Sequence, residues 1–157
     1  MRSASNIAKL MGCRTSLVLD TNVVLDLLLF DDPAARGLRE ALEARRLRCL
    51  VSEATFDEWQ RVLRYPEFAL DGARQAALAA AYRALADKTD AVCTMTLPRC
   101  SDPDDQKFLV LAAAARAAAL VSKDRAVLRL RRRCAPWFAI VTPAEVGGLA
   151  MRLPASS

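Results

Sequence analysis

The stretch Leu17-Val18-Leu19-Asp20-Thr21-Asn22 decides the fold, because it places an aspartate directly after a short apolar run. The pattern predicts a buried strand over residues 16–20 and an apolar helix over residues 22–30 packed tightly after it. A similar run, Ala119-Leu120-Val121-Ser122-Lys123, is also followed by an aspartate, Asp124. In an open parallel α/β sheet, the carboxyl ends of the strands converge on one crevice, where ligands bind. We therefore expect the two aspartates to lie together in that crevice.

The rest of the chain alternates strand and helix patterns, which predicts an α/β fold with a mainly parallel sheet. We expect a three-layer α/β/α sandwich around a central sheet of four to five strands. Asp32-Pro33 and Asp102-Pro103 are typical helix starts, and Thr142 and Glu145 form a predicted capping box. The predicted strands span residues 16–20, 48–52, 91–95, 119–122 and 138–141, and the predicted helices span residues 22–30, 32–46, 52–64 and 71–87 and begin again at residues 102 and 142.

The length of 157 residues suits one domain with its own hydrophobic core. We expect this domain at residues 16–150, between an amino-terminal extension at residues 1–15 and a carboxy-terminal tail at residues 151–157. No apolar stretch approaches the ~20 residues that span a bilayer. Residues 1–10 also lack the long apolar centre of a secretory signal. We therefore expect a cytoplasmic protein with no membrane partner.

The chain contains no histidine, which removes histidine-activated nucleophiles and histidine-ligated zinc. Catalysis would therefore depend on carboxylates, a metal ion or both. The net charge of +5 permits a nucleic-acid partner. Arg125, Arg129 and residues 131–133 follow Asp124 closely. Contact with a phosphate chain and exposure on solvated helix faces explain these arginines about equally well.

Further acidic residues fall at helix starts. Asp102, Asp104 and Asp105 crowd one start, which exceeds what capping requires, and Asp102 and Asp105 share a side that Asp104 does not. We expect at least one of them to bind a metal ion, with Asp105 favoured over Asp102, because gathered carboxylates suit a hard divalent cation. Glu58 lies in the predicted helix over residues 52–64, where a capping box with Thr55 and a place in the site fit the spacing equally. Capping is also an alternative for the aspartate at position 124.

Four segments in this order resemble the motifs of the PIN-domain nuclease family, and the resemblance covers residues 17–150. The Asp-Pro-Asp-Asp form of residues 102–105 is similar to the bacterial branch that contains the toxin components of toxin–antitoxin pairs. The segments are Leu19-Asp20-Thr21-Asn22, residues 52–63 around Glu58, residues 102–112 and Leu120-Val121-Ser122-Lys123-Asp124, and residues 141–145 close the fold.

The resemblance implies a small α/β/α sandwich that uses Mg²⁺ or Mn²⁺ to cut RNA. It also implies a homodimer and a cognate antitoxin protein as partners. The catalytic residues that the resemblance implies are Asp20, Glu58, Asp105 and Asp124, with Asn22 as a polar helper. From position and charge we expect the metal ligands to be Asp20, Asp105, Asp102 and Asp124, and the substrate-binding residues to be Asn22, Lys123, Arg125 and Arg129.

Phosphodiester hydrolysis needs a deprotonated water, neutralisation of phosphate charge and a stabilised leaving oxygen. A metal ion held by carboxylates can supply all three at neutral pH. We hypothesise that Asp20 and Asp105 hold the first ion, while Asp124 and Glu58 position a second ion or the attacking water. The products would carry a 5′-phosphate and a 3′-hydroxyl.

Three other classes compete with this interpretation. A haloacid-dehalogenase-like phosphatase also places an aspartate after its first strand, but that chemistry needs a second aspartate where this chain has Asn22. A non-catalytic RNA-binding or regulatory domain would gain nothing from concentrated negative charge near RNA phosphates. A partner-binding module could use the alanine-rich helix over residues 71–87, although such faces more often pack within a fold.

Overall fold

The computed structural model describes residues 15–150, with side chains described as far as Val146. The predicted extension at residues 1–15, apart from Thr15, and the predicted tail at residues 151–157 lie outside the described residues. The strands are β1 (Thr15–Leu19), β2 (Leu47–Val51), β3 (Ala86–Lys88), β4 (Ala119–Val121) and β5 (Ala139–Val141). They form one five-stranded, entirely parallel sheet in the order β3-β2-β1-β4-β5.

Helices connect the strands, as expected for parallel neighbours that need a crossover. The 3₁₀ turns Pro33–Ala35, Pro66–Phe68 and Pro103–Asp105 precede or follow several of these helices. The α-helices are α1 (Thr21–Leu28), α2 (Arg36–Glu43), α3 (Glu53–Leu63), α4 (Gly72–Leu85), α5 (Gln106–Ala114), α6 (Arg125–Leu128), α7 (Arg131–Cys134) and α8 (Pro143–Ala150).

The sheet separates two hydrophobic cores. Leu17 and Leu19 of β1 point into the first core, and Val18 points into the second, which follows from the alternation of side chains along a strand. The first core also contains residues of α1, α2, α3, α4 and α8. Residues of α5, α6 and α7 fill the second core. The predicted three-layer α/β/α architecture is therefore confirmed.

The predicted helix caps are present at three helix starts. Side-chain oxygens of Asp32 and Asp102 each accept a backbone N–H two residues further on, at 2.9 and 3.0 Å. Thr142 and Glu145 exchange reciprocal side-chain-to-backbone hydrogen bonds of 3.2 and 3.0 Å, which is the predicted capping box. These caps satisfy backbone N–H groups that the first turn of a helix leaves without partners.

The position of the third strand was predicted wrongly. The sequence pattern favoured residues 91–95, which form no strand, and extended the preceding helix to residue 87, whereas α4 ends at Leu85 and β3 is Ala86–Lys88. Cys49 of β2 is the register partner of Ala86, and Arg48 Nε donates to Asp87 Oδ2 at 2.6 Å. This edge strand forms because its backbone extends the ladder beside β2, while its own side chains have little apolar character.

No helix within residues 15–150 has the length and apolar character that are needed to cross a bilayer.

Candidate metal centre and active site

The crevice lies at the topological switch point of the sheet, between β1 and β4, where the strand order reverses. Strands β1 and β4 are neighbours, but the helices that follow them pack on opposite faces, α1 in the first core and α6 in the second. Such a divergence opens a gap beyond the carboxyl ends of the two strands. Asp20 directly follows β1, and Ser122 directly follows β4, so both residues line this gap.

Asp20 is held rigidly at the end of β1, where it is 3% exposed. The Ser122 hydroxyl donates to Asp20 Oδ2 at 2.8 Å, and the backbone N–H of Asn22 approaches Oδ1 at 3.4 Å. Burial raises the pKa of the Asp20 carboxyl, these two hydrogen bonds oppose the shift, and the charges of Asp124 and Glu58 add to it. Asp20 therefore caps α1 and contributes to a concentration of negative charge at the same time.

Three aspartates converge beside it. Asp102, Asp105 and Asp124 each offer one carboxylate oxygen, and these oxygens all lie within 4.8 Å of one another. Asp124 also caps α6, since its Oδ1 accepts the N–H of Ala126 at 2.7 Å. The capping interpretation of Asp124 and its place beside the other carboxylates are therefore compatible.

Within the described part of the chain, Asp105 is the carboxylate that has a buried oxygen without a hydrogen-bond donor. Its Oδ2 atom is buried and accepts no hydrogen bond from any residue of 15–150. Burial first, then the charges of Asp20, Asp124, Asp102 and Glu58, raise the pKa of Asp105 to about 7 from 3.8. A buried acceptor without a donor requires an explanation, and a proton or a cation supplies one.

The donor set fits a hard divalent cation. Carboxylate oxygens are the ligands that Mg²⁺ and Mn²⁺ prefer, and the group of three supplies them at close range. Asp20 is not one of the three aspartates in this group, although its charge contributes to the raised pKa of Asp105. The geometry thus places Asp102 beside Asp105, whereas the sequence hypothesis combined Asp20 with Asp105 for the first ion.

Glu58 lies inside α3 and takes no part in its cap. Ser52 and Thr55 form the capping box, so the alternative that paired Thr55 with Glu58 in a cap is wrong. Glu58 is 8% exposed and faces the crevice, where its Oε2 accepts the hydroxyl of Thr21. Its Oε1 accepts from Lys107 Nζ at 2.8 Å and lies 3.7 Å from the guanidinium of Arg61. Both oxygens of Glu58 are therefore occupied by donors.

The residues predicted to contact substrate take two different positions. Asn22, Arg125 and Arg129 have exposed side chains beside the elements that carry the aspartates. Lys123 is also exposed, but its Nζ is 2.5 Å from Oδ2 of Asp26, whose side chain is 8% exposed. The ion pair fixes the direction of the lysine chain next to the crevice.

A family model described as PIN domain matches residues 16–126, which includes every acidic residue of the crevice. The chain belongs to the PIN domain family. PIN domains are typically nucleases that use divalent metal ions, which agrees with a crevice of carboxylates at the switch point. Neither a curated protein nor a solved structure matches the chain.

Four residues of this PIN domain were missed by the sequence reasoning: Thr21, Asp26, Lys107 and Ser122. Asp26 and Ser122 carried a signal, because each is a polar residue beside or within an apolar run that becomes a buried element. Thr21 and Lys107 lie in segments that resemble the family's motifs, but nothing in the sequence pairs either of them with Glu58. Their partner is Glu58, 37 and 49 residues away, and only the fold brings these side chains together.

Proposed function

We propose that this PIN domain is a metal-dependent endoribonuclease that hydrolyses phosphodiester bonds in RNA. The buried Oδ2 of Asp105, which no described donor contacts, is the observation that carries the proposal. One carboxylate oxygen of Asp105 lies within 4.8 Å of one oxygen each of Asp102 and Asp124, so the three side chains can share one Mg²⁺ or Mn²⁺ ion. When bound, that ion would neutralise phosphate charge and acidify a water molecule.

The chain's own residues would prepare the crevice for this chemistry. The Ser122 hydroxyl holds Oδ2 of Asp20. Among residues 15–150, the long 3.4 Å contact with the N–H of Asn22 is the one hydrogen bond at Oδ1 of Asp20, so Oδ1 can accept a hydrogen bond from the attacking water. The same Ser122 oxygen accepts the backbone N–H of Asp124 at 3.0 Å. One buried hydroxyl therefore sets the relative position of two carboxylates, each from the end of a different strand.

RNA is the proposed substrate, because a polyanion would be guided by the net charge of +5 despite the local acidic residues. Arg125 and Arg129 expose their side chains on or next to α6, directly after Asp124. Phosphates on either side of the scissile bond would contact these arginines, and Asn22 and Lys123 would contact the strand closer to the acidic group.

We further propose that the enzyme acts in the cytoplasm as a homodimer and as the toxin of a toxin–antitoxin pair. The likeness of Asp102-Pro103-Asp104-Asp105 to the toxin branch supports the toxin role. The exposed alanines 76, 77 and 80 on α4 support close contact with a second copy or with an antitoxin. We expect the wild type to be dimeric and Ala77→Glu to be monomeric by light scattering. A monomeric wild type would contradict the homodimer.

Cleavage of an end-labelled single-stranded RNA tests the proposed activity. We expect cutting with Mn²⁺, no cutting in EDTA, and loss of activity in Asp20→Asn. Asp104→Asn is the matched control, because it removes an exposed carboxylate next to the crevice. RNA binding without cleavage, unchanged by EDTA and by Asp20→Asn, would instead favour a non-catalytic RNA-binding domain.

A further inference from the structure

Three side chains form a continuous line of contacts along one wall of the crevice. The Thr21 hydroxyl donates to Glu58, and Glu58 accepts the ammonium of Lys107 at 2.8 Å. Thr21 is 7% exposed and Glu58 is 8% exposed, while the Lys107 side chain keeps 24% of its surface accessible. Of the three side chains, that of Lys107 is therefore the one that reaches solvent to an appreciable extent.

The line begins and ends beside the acidic residues. Thr21 directly follows Asp20, and Lys107 lies two residues after Asp105, in the first turn of α5. The charge of Glu58 also contributes to the raised pKa values of Asp20 and Asp105, which requires that Glu58 lie near both. The ammonium that it holds is thus a fixed positive charge at the edge of the crevice.

The contacts of Glu58 are unsuited to a metal ligand. One oxygen accepts a hydroxyl, and the other accepts an ammonium with the Arg61 guanidinium at 3.7 Å. A divalent ion at this carboxylate would replace these donors and meet two positive charges at close range. Asp105, by contrast, has a buried oxygen without any described donor. Asp105 is therefore suited to bind a metal ion, and Glu58 is suited to hold the Lys107 side chain.

The ammonium of Lys107 retains binding capacity. A lysine has three N–H donors, and within residues 15–150 Glu58 is the one acceptor that Lys107 contacts. We propose that Lys107 binds a phosphate of the RNA strand, and that Glu58, fixed by Thr21, positions this lysine instead of binding metal. The inference rests on the proposed ribonuclease function and adds a phosphate-binding residue to it. The ammonium would add to the affinity for a phosphate and would offset the repulsion between that phosphate and the carboxylates of the crevice.

The salt dependence of RNA binding in EDTA separates phosphate contact from a structural role. The probe is a fluorescent single-stranded RNA, measured by anisotropy over a series of salt concentrations. We expect Lys107→Gln to weaken binding at low salt and to reduce the slope of log affinity against log salt by about 0.7, the value for one phosphate contact on a single strand. Arg116→Gln is the charge-matched control. Arg116 is exposed next to the amino end of β4, whereas the crevice lies at the carboxyl ends of the strands. We expect its slope to equal that of the wild type.

Three more variants keep the test valid if removal of Lys107 alone destabilises the buried Glu58. The double variant Glu58→Gln/Lys107→Gln keeps the net charge of the wild type and leaves neither partner as an unpaired charge, and its slope should fall by the same amount. Lys107→Arg should restore most of the slope. Glu58→Gln should keep its Mn²⁺ affinity within about twofold of the wild type by calorimetry, well inside the roughly tenfold loss expected for a disturbed metal site.

A slope for Lys107→Gln and for the double variant equal to that of Arg116→Gln would overturn the inference. Loss of Mn²⁺ affinity in Glu58→Gln by tenfold or more would overturn it as well. If the wild type cleaves RNA in either case, the ribonuclease function stands and only the roles of Lys107 and Glu58 are wrong. A wild type that neither binds RNA in EDTA nor cleaves it with Mn²⁺ would overturn both.

Discussion

Asp105 is the residue at which burial and charge oppose ionisation most clearly. Its pKa is about 7 in the folded protein against 3.8 ordinarily, with burial as the largest cause. Because the folded-state pKa is the higher one, ionisation disfavours folding. The metal-free protein should therefore lose stability as the pH rises from about 4 to about 7. A cation bound by the ionised carboxylate would restore that stability.

Asp105→Asn should remove this pH dependence, because the amide cannot ionise. We expect the variant to be more stable than the wild type near pH 8 in EDTA and about equally stable near pH 4. Urea unfolding at the two pH values measures the difference. Asp104→Asn, at an exposed neighbour, should behave like the wild type at both. Equal stability of Asp105→Asn and wild type at the higher pH would show that ionisation of Asp105 does not destabilise the folded protein.

Ser122 is the residue that connects the two strand ends. It is fully buried, donates to Asp20 Oδ2 and accepts the backbone N–H of Asp124. Ser122→Ala should lower Mn²⁺ affinity or cleavage roughly 10- to 100-fold, as expected when a partner that orients metal-site carboxylates is lost. Calorimetry and the RNA assay measure both. Ser16→Ala, at the other end of β1, is the control, and an equal effect there would contradict the assigned role.

Helix α6 illustrates how one side chain can serve an element and a site together. Asp124 caps α6 and also belongs to the group of three carboxylates. Asparagine caps nearly as well as aspartate, whereas alanine costs about 1 kcal/mol. Asp124→Asn should therefore lose Mn²⁺ affinity but keep the helix cap, whereas Asp124→Ala should lose both. We expect the free energy of unfolding of Asp124→Asn to be about 1 kcal/mol higher than that of Asp124→Ala. Urea unfolding and calorimetry of the two variants test this. Retained Mn²⁺ affinity in both would remove Asp124 from the site.

Elements with a strong local signal were predicted well from the sequence. Strands β1, β2, β4 and β5 lie within a few residues of their predicted positions, because short apolar runs bounded by polar residues specify buried parallel strands. Strand β3 was misplaced because the alanine-rich α4 passes into it without a turn signal. Its pairing with β2 depends on the backbone and on the contact of Arg48 with Asp87, which the local sequence does not encode.

The same distinction applies to the site. Asp20, Asp105 and Asp124 could be proposed from sequence because each follows a strand or begins a helix, and the topology brings such positions to one edge. The line from Thr21 through Glu58 to Lys107 could not, because it joins three separate helices. Likewise, the pairing of Asp26 with Lys123 depends on the packing of α1 against the segment after β4.

The whole molecule depends on two cores, one on each face of the sheet. Phe108 of α5 is 1% exposed in the second core, on the helix that also carries Lys107. Phe108→Ala should lower the free energy of unfolding by about 3–5 kcal/mol through lost burial and the cavity that remains. Val110→Ala, 39% exposed on the same helix, should change it by about 0.5 kcal/mol or less. Urea unfolding measures both, and similar effects would contradict the assignment of the second core.

The two-core sandwich supplies a rigid frame in which the ends of β1 and β4 cannot move apart independently. This frame buries the Asp20 and Asp105 carboxyls and holds other carboxylates near them; burial first, and then these like charges, raise the pKa values of Asp20 and Asp105. A cation and a phosphate chain would interact with this frame in different ways. The cation would bind the aspartates, and the phosphate chain would contact Lys107 and the exposed arginines.

The most direct test of the central claim measures Mn²⁺ binding and RNA cleavage on the same samples of wild type, Asp105→Asn and Asp104→Asn. A carboxylate-held metal predicts that wild type and Asp104→Asn bind Mn²⁺ and cut RNA, while Asp105→Asn loses both together. Cleavage that persists in EDTA, or an Asp105→Asn variant that binds and cuts like the wild type, would contradict it.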